Sequence, residues 1–125
     1  MSTKQQCACA TAPKLIFPCS GASDVGEITD RAARQLTKRG KGKMYCLAGI
    51  GGYIPDMIEN TKLAAKILVI DGCSQDCAKK TMEQGGFSKF EYLRLSDMAM
   101  EKGKTPPDHD NISRVVEKGS QLLEG

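Results

Sequence analysis

The sequence predicts an α/β fold, a three-layer sandwich around a four-stranded parallel sheet in the strand order 2-1-3-4. Three observations carry this expectation. Ile67-Leu68-Val69-Ile70 is a short apolar, mostly β-branched run stopped by Asp71-Gly72, the pattern of a strand buried on both faces. Segments of that kind alternate along the chain with stretches of helical periodicity, which implies parallel pairing through right-handed crossovers. Cys19, Cys46 and Cys73 recur 27 residues apart. One strand, one helix and two loops take about that length, so each cysteine returns to the carboxyl edge of its own strand.

Taken in order, residues 1–13 are small and polar and read as an N-terminal arm carrying Cys7 and Cys9, ahead of one metal-binding domain over residues 14–125. Lys14-Leu15-Ile16-Phe17-Pro18 is the first strand. A helix follows from near Ser23, a preferred cap, with Asp24 and Glu27 in its first turn and Val25, Ile28, Ala32 and Leu36 on its apolar face; it ends at Gly40. Met44-Tyr45-Cys46-Leu47-Ala48 is the second strand. Gly49-Ile50-Gly51-Gly52 then leads to a short helix entered through Pro55, with Met57 and Ile58 inward. After the third strand, Ser74 is placed to cap a helix that runs through Ala78 to Glu83 and stops at Gly85-Gly86. Phe90 to Leu95 alternates in polarity, as an edge strand does. Residues 96–110 form a polar connection, and a last helix carries Ile112, Val115, Val116, Leu122 and Leu123. The order 2-1-3-4 keeps the three cysteine-bearing strands contiguous and the alternating fourth at an edge.

Composition excludes several roles. A net charge of +3 spread over 125 residues, with no Trp, three Tyr and three Phe, supplies neither the basic face nor the stacking surface of a nucleic-acid binder. The basic run Lys38-Arg39-Gly40-Lys41-Gly42-Lys43 reads as a solvated turn. No apolar run approaches the ~20 residues that span a bilayer, and the N-terminus lacks the apolar segment of a signal peptide, so the expectation is a cytoplasmic protein without a membrane partner. In a reducing compartment six cysteines argue for metal binding or redox chemistry ahead of structural disulfides.

Cys19, Cys46, Cys73 and Cys77 form the candidate metal site. Adjacent parallel strands lie ~4.8 Å apart, and thiolates around zinc at ~2.3 Å stand just under ~4 Å from one another, a gap that side chains leaning in from neighbouring strands can close. Cys77 supplies a fourth sulfur from the first turn of the third helix, where the partial positive charge of the helix end attracts an anionic ligand. Zinc is the expected cofactor; a shell of four cysteines suits an iron-sulfur cluster as well. The partner this implies is a metal ion, with any protein partner unspecified.

Pro18-Cys19-Ser20-Gly21-Ala22-Ser23, Cys46-Leu47-Ala48-Gly49-Ile50-Gly51, and Asp71-Gly72-Cys73 with Cys77-Ala78-Lys79-Lys80 together resemble the DGC domain family, small proteins named for an Asp-Gly-Cys motif. The resemblance runs from about Leu15 to Leu95. It implies a four-cysteine zinc site on Cys19, Cys46, Cys73 and Cys77, with no defined reaction. Cys7 and Cys9 fall outside the pattern.

The enzyme readings narrow on the letters. A tyrosine-phosphatase-like loop needs Arg six residues after its cysteine, and after Cys19 that place holds Val25. Cys73 and Cys77 are one residue too far apart for Cys-x-x-Cys, leaving a thiol enzyme built on Cys19 or on a Cys73/Cys77 pair as the alternative to a binding module. The Gly49 stretch is too short for a nucleotide fingerprint. Asp71 is expected to orient its turn, His109 to be solvated in its loop, and Asp97 to stand as an outer candidate near the sheet edge.

Overall fold

The computed structural model describes residues 12–125. The arm with Cys7 and Cys9 lies outside the described residues, apart from Ala12 and Pro13; the Pro13 carbonyl accepts a hydrogen bond from Ala65 N at 2.8 Å. Strand β1 spans Lys14–Pro18, β2 Lys43–Met44, β3 Lys66–Asp71 and β4 Glu91–Arg94. Helices are α1 Asp24–Lys38, α2 Leu47–Gly51, α3 Pro55–Lys62, α4 Cys77–Gln84 and α5 His109–Leu123, with a 3-10 turn at Leu95–Met98.

All pairings are parallel and the sheet order is β2-β1-β3-β4, the predicted 2-1-3-4. The register between the central strands, Lys14 with Lys66 through Pro18 with Ile70, brings the carboxyl ends of β1 and β3 to the same level. Side chains alternate across the sheet and bury on both sides. On one face Ile16, Leu68, Ile70 and Leu93 pack against α1 and α5; on the other Leu15, Phe17, Ile67 and Val69 meet Ile50, Ala78 and Met82. Two helical layers therefore cover one sheet, the expected sandwich.

Ser23 caps α1, accepting from Gly26 N at 3.1 Å, and Val25, Ile28, Ala32 and Leu36 are fully buried as their spacing requires. At the far edge the ammonium groups of Lys14 and Lys66 donate to the Leu123 and Glu124 carbonyls at 2.6 and 2.7 Å, satisfying acceptors that the end of α5 leaves open.

Three local expectations need correction. The second strand has two residues instead of five, and Cys46 is the N-cap of α2, because Tyr45 makes the last ladder bond, to Ile16 O at 2.9 Å, before the chain turns into helix. Ser74 caps nothing. Asp76 is the N-cap of α4 and its side chain makes no cap bond, for that role is filled from the end of β3. Residues 96–110 are polar by count, yet Met100 and Thr105 are buried, and α5 begins at His109 behind an Asp108 cap.

Asp24 ties that connection to α1. Its carboxylate accepts from Gly103 N at 2.9 Å, Thr105 N at 3.1 Å and Val25 N at 2.7 Å. The Gly103 and then the Thr105 hydrogen bonds hold its pKa below the ordinary aspartate value. A carboxyl depressed on folding contributes stability above its unfolded pKa and loses it as pH falls through the folded one. Amide exchange of Gly103 and Thr105, corrected for intrinsic rates, is therefore expected to accelerate below about pH 4 in wild type, and to be already fast and pH-insensitive in Asp24→Asn. Protection of Gly103 and Thr105 in Asp24→Asn equal to wild type at neutral pH would show that the carboxylate does not hold the loop.

Candidate thiol site at the carboxyl edge of the sheet

Cys19, Cys46, Cys73 and Cys77 all stand where strands β1, β2 and β3 give way to helices, and all four are free thiols. Along the edge they follow the strand order, Cys46 first, Cys19 next, then Cys73 and Cys77. This is the edge at which open α/β sheets bind their ligands.

Cys19 continues the ladder, donating from its N–H to Ile70 O at 2.9 Å. The next residue, Ser20, adopts a left-handed conformation with φ of 52°. Such a conformation in a residue with a Cβ persists where neighbours over-determine it, and here α1 does so: Ser20 N donates to Thr29 Oγ1 at 3.1 Å and Ser20 Oγ to Asp30 at 2.8 Å. Thr29 is fully buried and gives its one hydroxyl proton to Gly26 O at 2.8 Å. The Cys19 sulfur lies 3.5 Å from Thr29 Oγ1, so the thiol is the donor in that contact.

The Cys73 loop closes against the same turn of α1. Gly72 has no room for a Cβ, which would meet Val25 side-chain and backbone atoms at 2.9 to 3.0 Å. Asp71 is buried at the end of β3, and its carboxylate accepts from Ala78 N at 2.8 Å and Lys79 N at 3.0 Å, two of the N–H groups that the start of α4 leaves without helical partners. The Asp of the Asp-Gly-Cys motif is thus a helix cap delivered from the preceding strand, in agreement with its expected orienting role.

Asp76, between the two cysteines of the loop, is also left-handed, with φ of 57°. Arg94 grips its carboxylate with two bonds of 2.8 Å, and the Tyr92 hydroxyl lies 2.9 Å from Asp76 and 2.7 Å from Asp71. A hydroxyl has one proton, so Tyr92 is shared between the two carboxylates. The Arg94 hydrogen bonds, foremost, hold the Asp76 pKa below the usual carboxylate range; burial and then the two acids push Tyr92 far above the ordinary tyrosine value, so it stays protonated. Lys79 and Arg94 lie 5.2 and 5.6 Å from the Tyr92 ring centre.

Two cavities open on this edge. One, of about 490 Å³, is lined by Cys19, Cys46, Tyr45 and Arg34; the other, of about 410 Å³, by Cys19, Cys73, Cys77 and Gln75. Cys19 lines both. Among the described residues no three His, Cys, Asp or Glu side chains stand close enough together to hold a metal ion. The four sulfurs share an edge without being gathered at one point. His109 is the first residue of α5, and Asp97 is exposed and 3.5 Å from Arg94; neither lines either cavity.

Thr29, Asp76, Tyr92 and Arg94 are the residues that sequence reasoning passed over. For Tyr92 and Arg94 a signal was present: they lie two apart, and so on one face, at the end of an alternating edge strand. Thr29 sits among apolar helix positions and gave none.

A protein-family model described as the DGC domain matches residues 15–119, so the likeness extends past β4 into α5. A curated relative, the anaerobic and virulence modulator AnvM of Pseudomonas aeruginosa, is 30% identical over 88 residues, 70% of this chain and 67% of that protein. No solved structure gives a significant match. No helix among the described residues is long and apolar enough to cross a membrane.

Proposed function

The chain belongs to the DGC domain family, and from that premise we propose that it is a zinc-binding module whose ligands are Cys19, Cys46, Cys73 and Cys77, acting in metal sensing or delivery. The observation that carries the reading is the position of Cys19. It lines both cavities, with Cys46 across one and Cys73 and Cys77 across the other, so that it stands at the centre of a four-thiol edge. The donor chemistry fits, since four soft sulfurs suit zinc. The sulfurs share the edge without meeting at one point, and bringing them together falls to the loops, because the β1 and β3 strands behind Cys19 and Cys73 are buried.

Three of the four proposed ligands have support from this chain's own residues. Thr29 and Asp30 set the Cys19 loop through Ser20, Asp71 fixes the start of α4 and hence Cys77, and the α2 turn presents Cys46. Bound zinc supplies the positive charge that keeps four neighbouring thiols deprotonated. A closed four-thiolate shell leaves no open position for substrate, which favours binding over catalysis. The relative's name, a modulator, agrees with a sensing role.

Metal analysis of protein purified without air tests the reading. About one zinc per chain is expected, with occupancy lowered by serine at Cys19, Cys46, Cys73 or Cys77 and unaffected by serine at Cys7 or Cys9. Native zinc-loaded protein should resist alkylation at the four thiols until a chelator is added. A brown protein containing iron and sulfide would replace zinc with a cluster at the same thiols. Metal-free protein that binds no added zinc, or equal loss from the Cys7 and Cys9 variants, would overturn the assignment.

A further inference from the structure

Tyr92 and Arg94 reach from the edge strand β4 into the loop between Cys73 and Cys77 without belonging to any thiol. We infer that they are positioning residues for this cysteine pair: together they hold Asp76 in its left-handed conformation, and that one residue sets how Cys73 and Cys77 are presented. That the presentation serves metal binding rests on the function proposed above; the clamp itself does not.

Asp76 pays a conformational penalty that glycine would not, since a Cβ crowds the following carbonyl at φ of 57°. Its own side chain does not cap α4, so the cap bond that makes Asp common before helices is absent here. What the carboxylate does is accept both arms of Arg94 at 2.8 Å and lie 2.9 Å from Tyr92. Both partners are partly buried, the Arg94 and Asp76 side chains keeping 25% and 16% of their exposure, so the pair is shielded more than a surface ion pair. Tyr92 also bonds Asp71, the residue that caps α4. The strand before the loop, the loop and the helix after it are thus joined to one edge strand through a single cluster. Cys73, inside the clamped loop, is half-buried, while Cys77 at the helix start and Cys46 across the site are exposed.

Per-cysteine alkylation of the full chain by iodoacetamide, with metal removed by chelation, reads the clamp directly. Cys46 is the internal reference, since it touches none of the clamp. Arg94→Ala is expected to raise the Cys73-to-Cys46 rate ratio about tenfold, the loss of one charge-assisted bond pair, and Tyr92→Phe, which keeps the ring, about threefold. Asp76→Gly should stay within about threefold of wild type, because glycine takes the left-handed conformation unaided, and in that background Arg94→Ala should add little. A ratio unchanged by Arg94→Ala overturns the inference. So does a rise shared by every cysteine, which is global destabilisation, or an undiminished tenfold effect in the Asp76→Gly background.

The two readings fail separately. If wild type binds no zinc yet the ratio shifts as described, the metal function falls and the positioning role stands. If zinc binds and Arg94→Ala leaves the ratio unaltered, the clamp falls and the metal function stands.

Discussion

Alanine at Asp71 is expected to lower the unfolding free energy by about 4 kcal/mol, a large share of the roughly 5–15 kcal/mol that holds a domain together. Asp71 is 1% exposed and its carboxylate accepts three hydrogen bonds, from Ala78 N, Lys79 N and the Tyr92 hydroxyl. Its removal leaves the two N–H groups at the start of α4 without their acceptor, and each buried orphan costs about 1–3 kcal/mol. It also deletes the partner that fixes Tyr92. Asn at the same place keeps one acceptor oxygen but turns an NH₂ toward a donor, so about half of that loss is expected. Urea unfolding of the reduced, chelated protein measures both. A stability within about 1 kcal/mol of wild type for Asp71→Ala would mean that water replaces the cap, and that the motif's Asp has no structural role.

Valine at Gly26 is expected to cost about 3 kcal/mol, and alanine about 2. On helix propensity alone the sign would be opposite, since Gly to Ala inside a helix gains about 1 kcal/mol. Packing decides it. A Cβ on Gly26 would press on the Gly21 carbonyl oxygen, with its carbon at 2.5 Å and the Gly21 Cα at 2.7 Å, and backbone on both sides gives no flexible end that can swing away. To make room, the segment from Cys19 to Ser23 must lift off the first turn of α1. Faster alkylation of Cys19 relative to Cys46 should therefore accompany the loss of stability. A Gly26→Ala protein more stable than wild type would show that the loop adjusts freely.

Both positions lie under the thiol edge, which explains how a small site is held by so few residues. Gly26 and Gly72 let the Cys19 and Cys73 loops meet the first turn of α1, and Asp71 anchors the helix that starts with Cys77.

The architecture was legible in the sequence because it depends on local pattern and chain length. Ile67 to Ile70 had to be a central strand, since four apolar residues in a row bury on both faces. The 27-residue interval had to return each cysteine to one edge, and the alternation of Phe90 to Leu95 had to put the fourth strand at the side. The α1 cap at Ser23 followed from residue type alone. The four candidate cysteines reached the same edge for these reasons, and no tertiary information was needed to place them there.

What the tertiary structure decided was the state of each loop on that edge. Cys46 became a helix cap because β1 offers its last ladder acceptor to Tyr45, and that depends on the register between strands. Asp76 could be left-handed because Arg94, 18 residues further on, grips it, and Ser20 because Thr29 and Asp30 on α1 do the same. The helix after Cys73 was capped by Asp71 and not by Ser74, because a carboxylate at the strand end reaches two N–H groups that the nearer serine does not hold. Hydrophobic period and spacing fix where a segment runs; hydrogen bonds between residues far apart in the chain fix the conformation of a loop, and no local pattern encodes those partners.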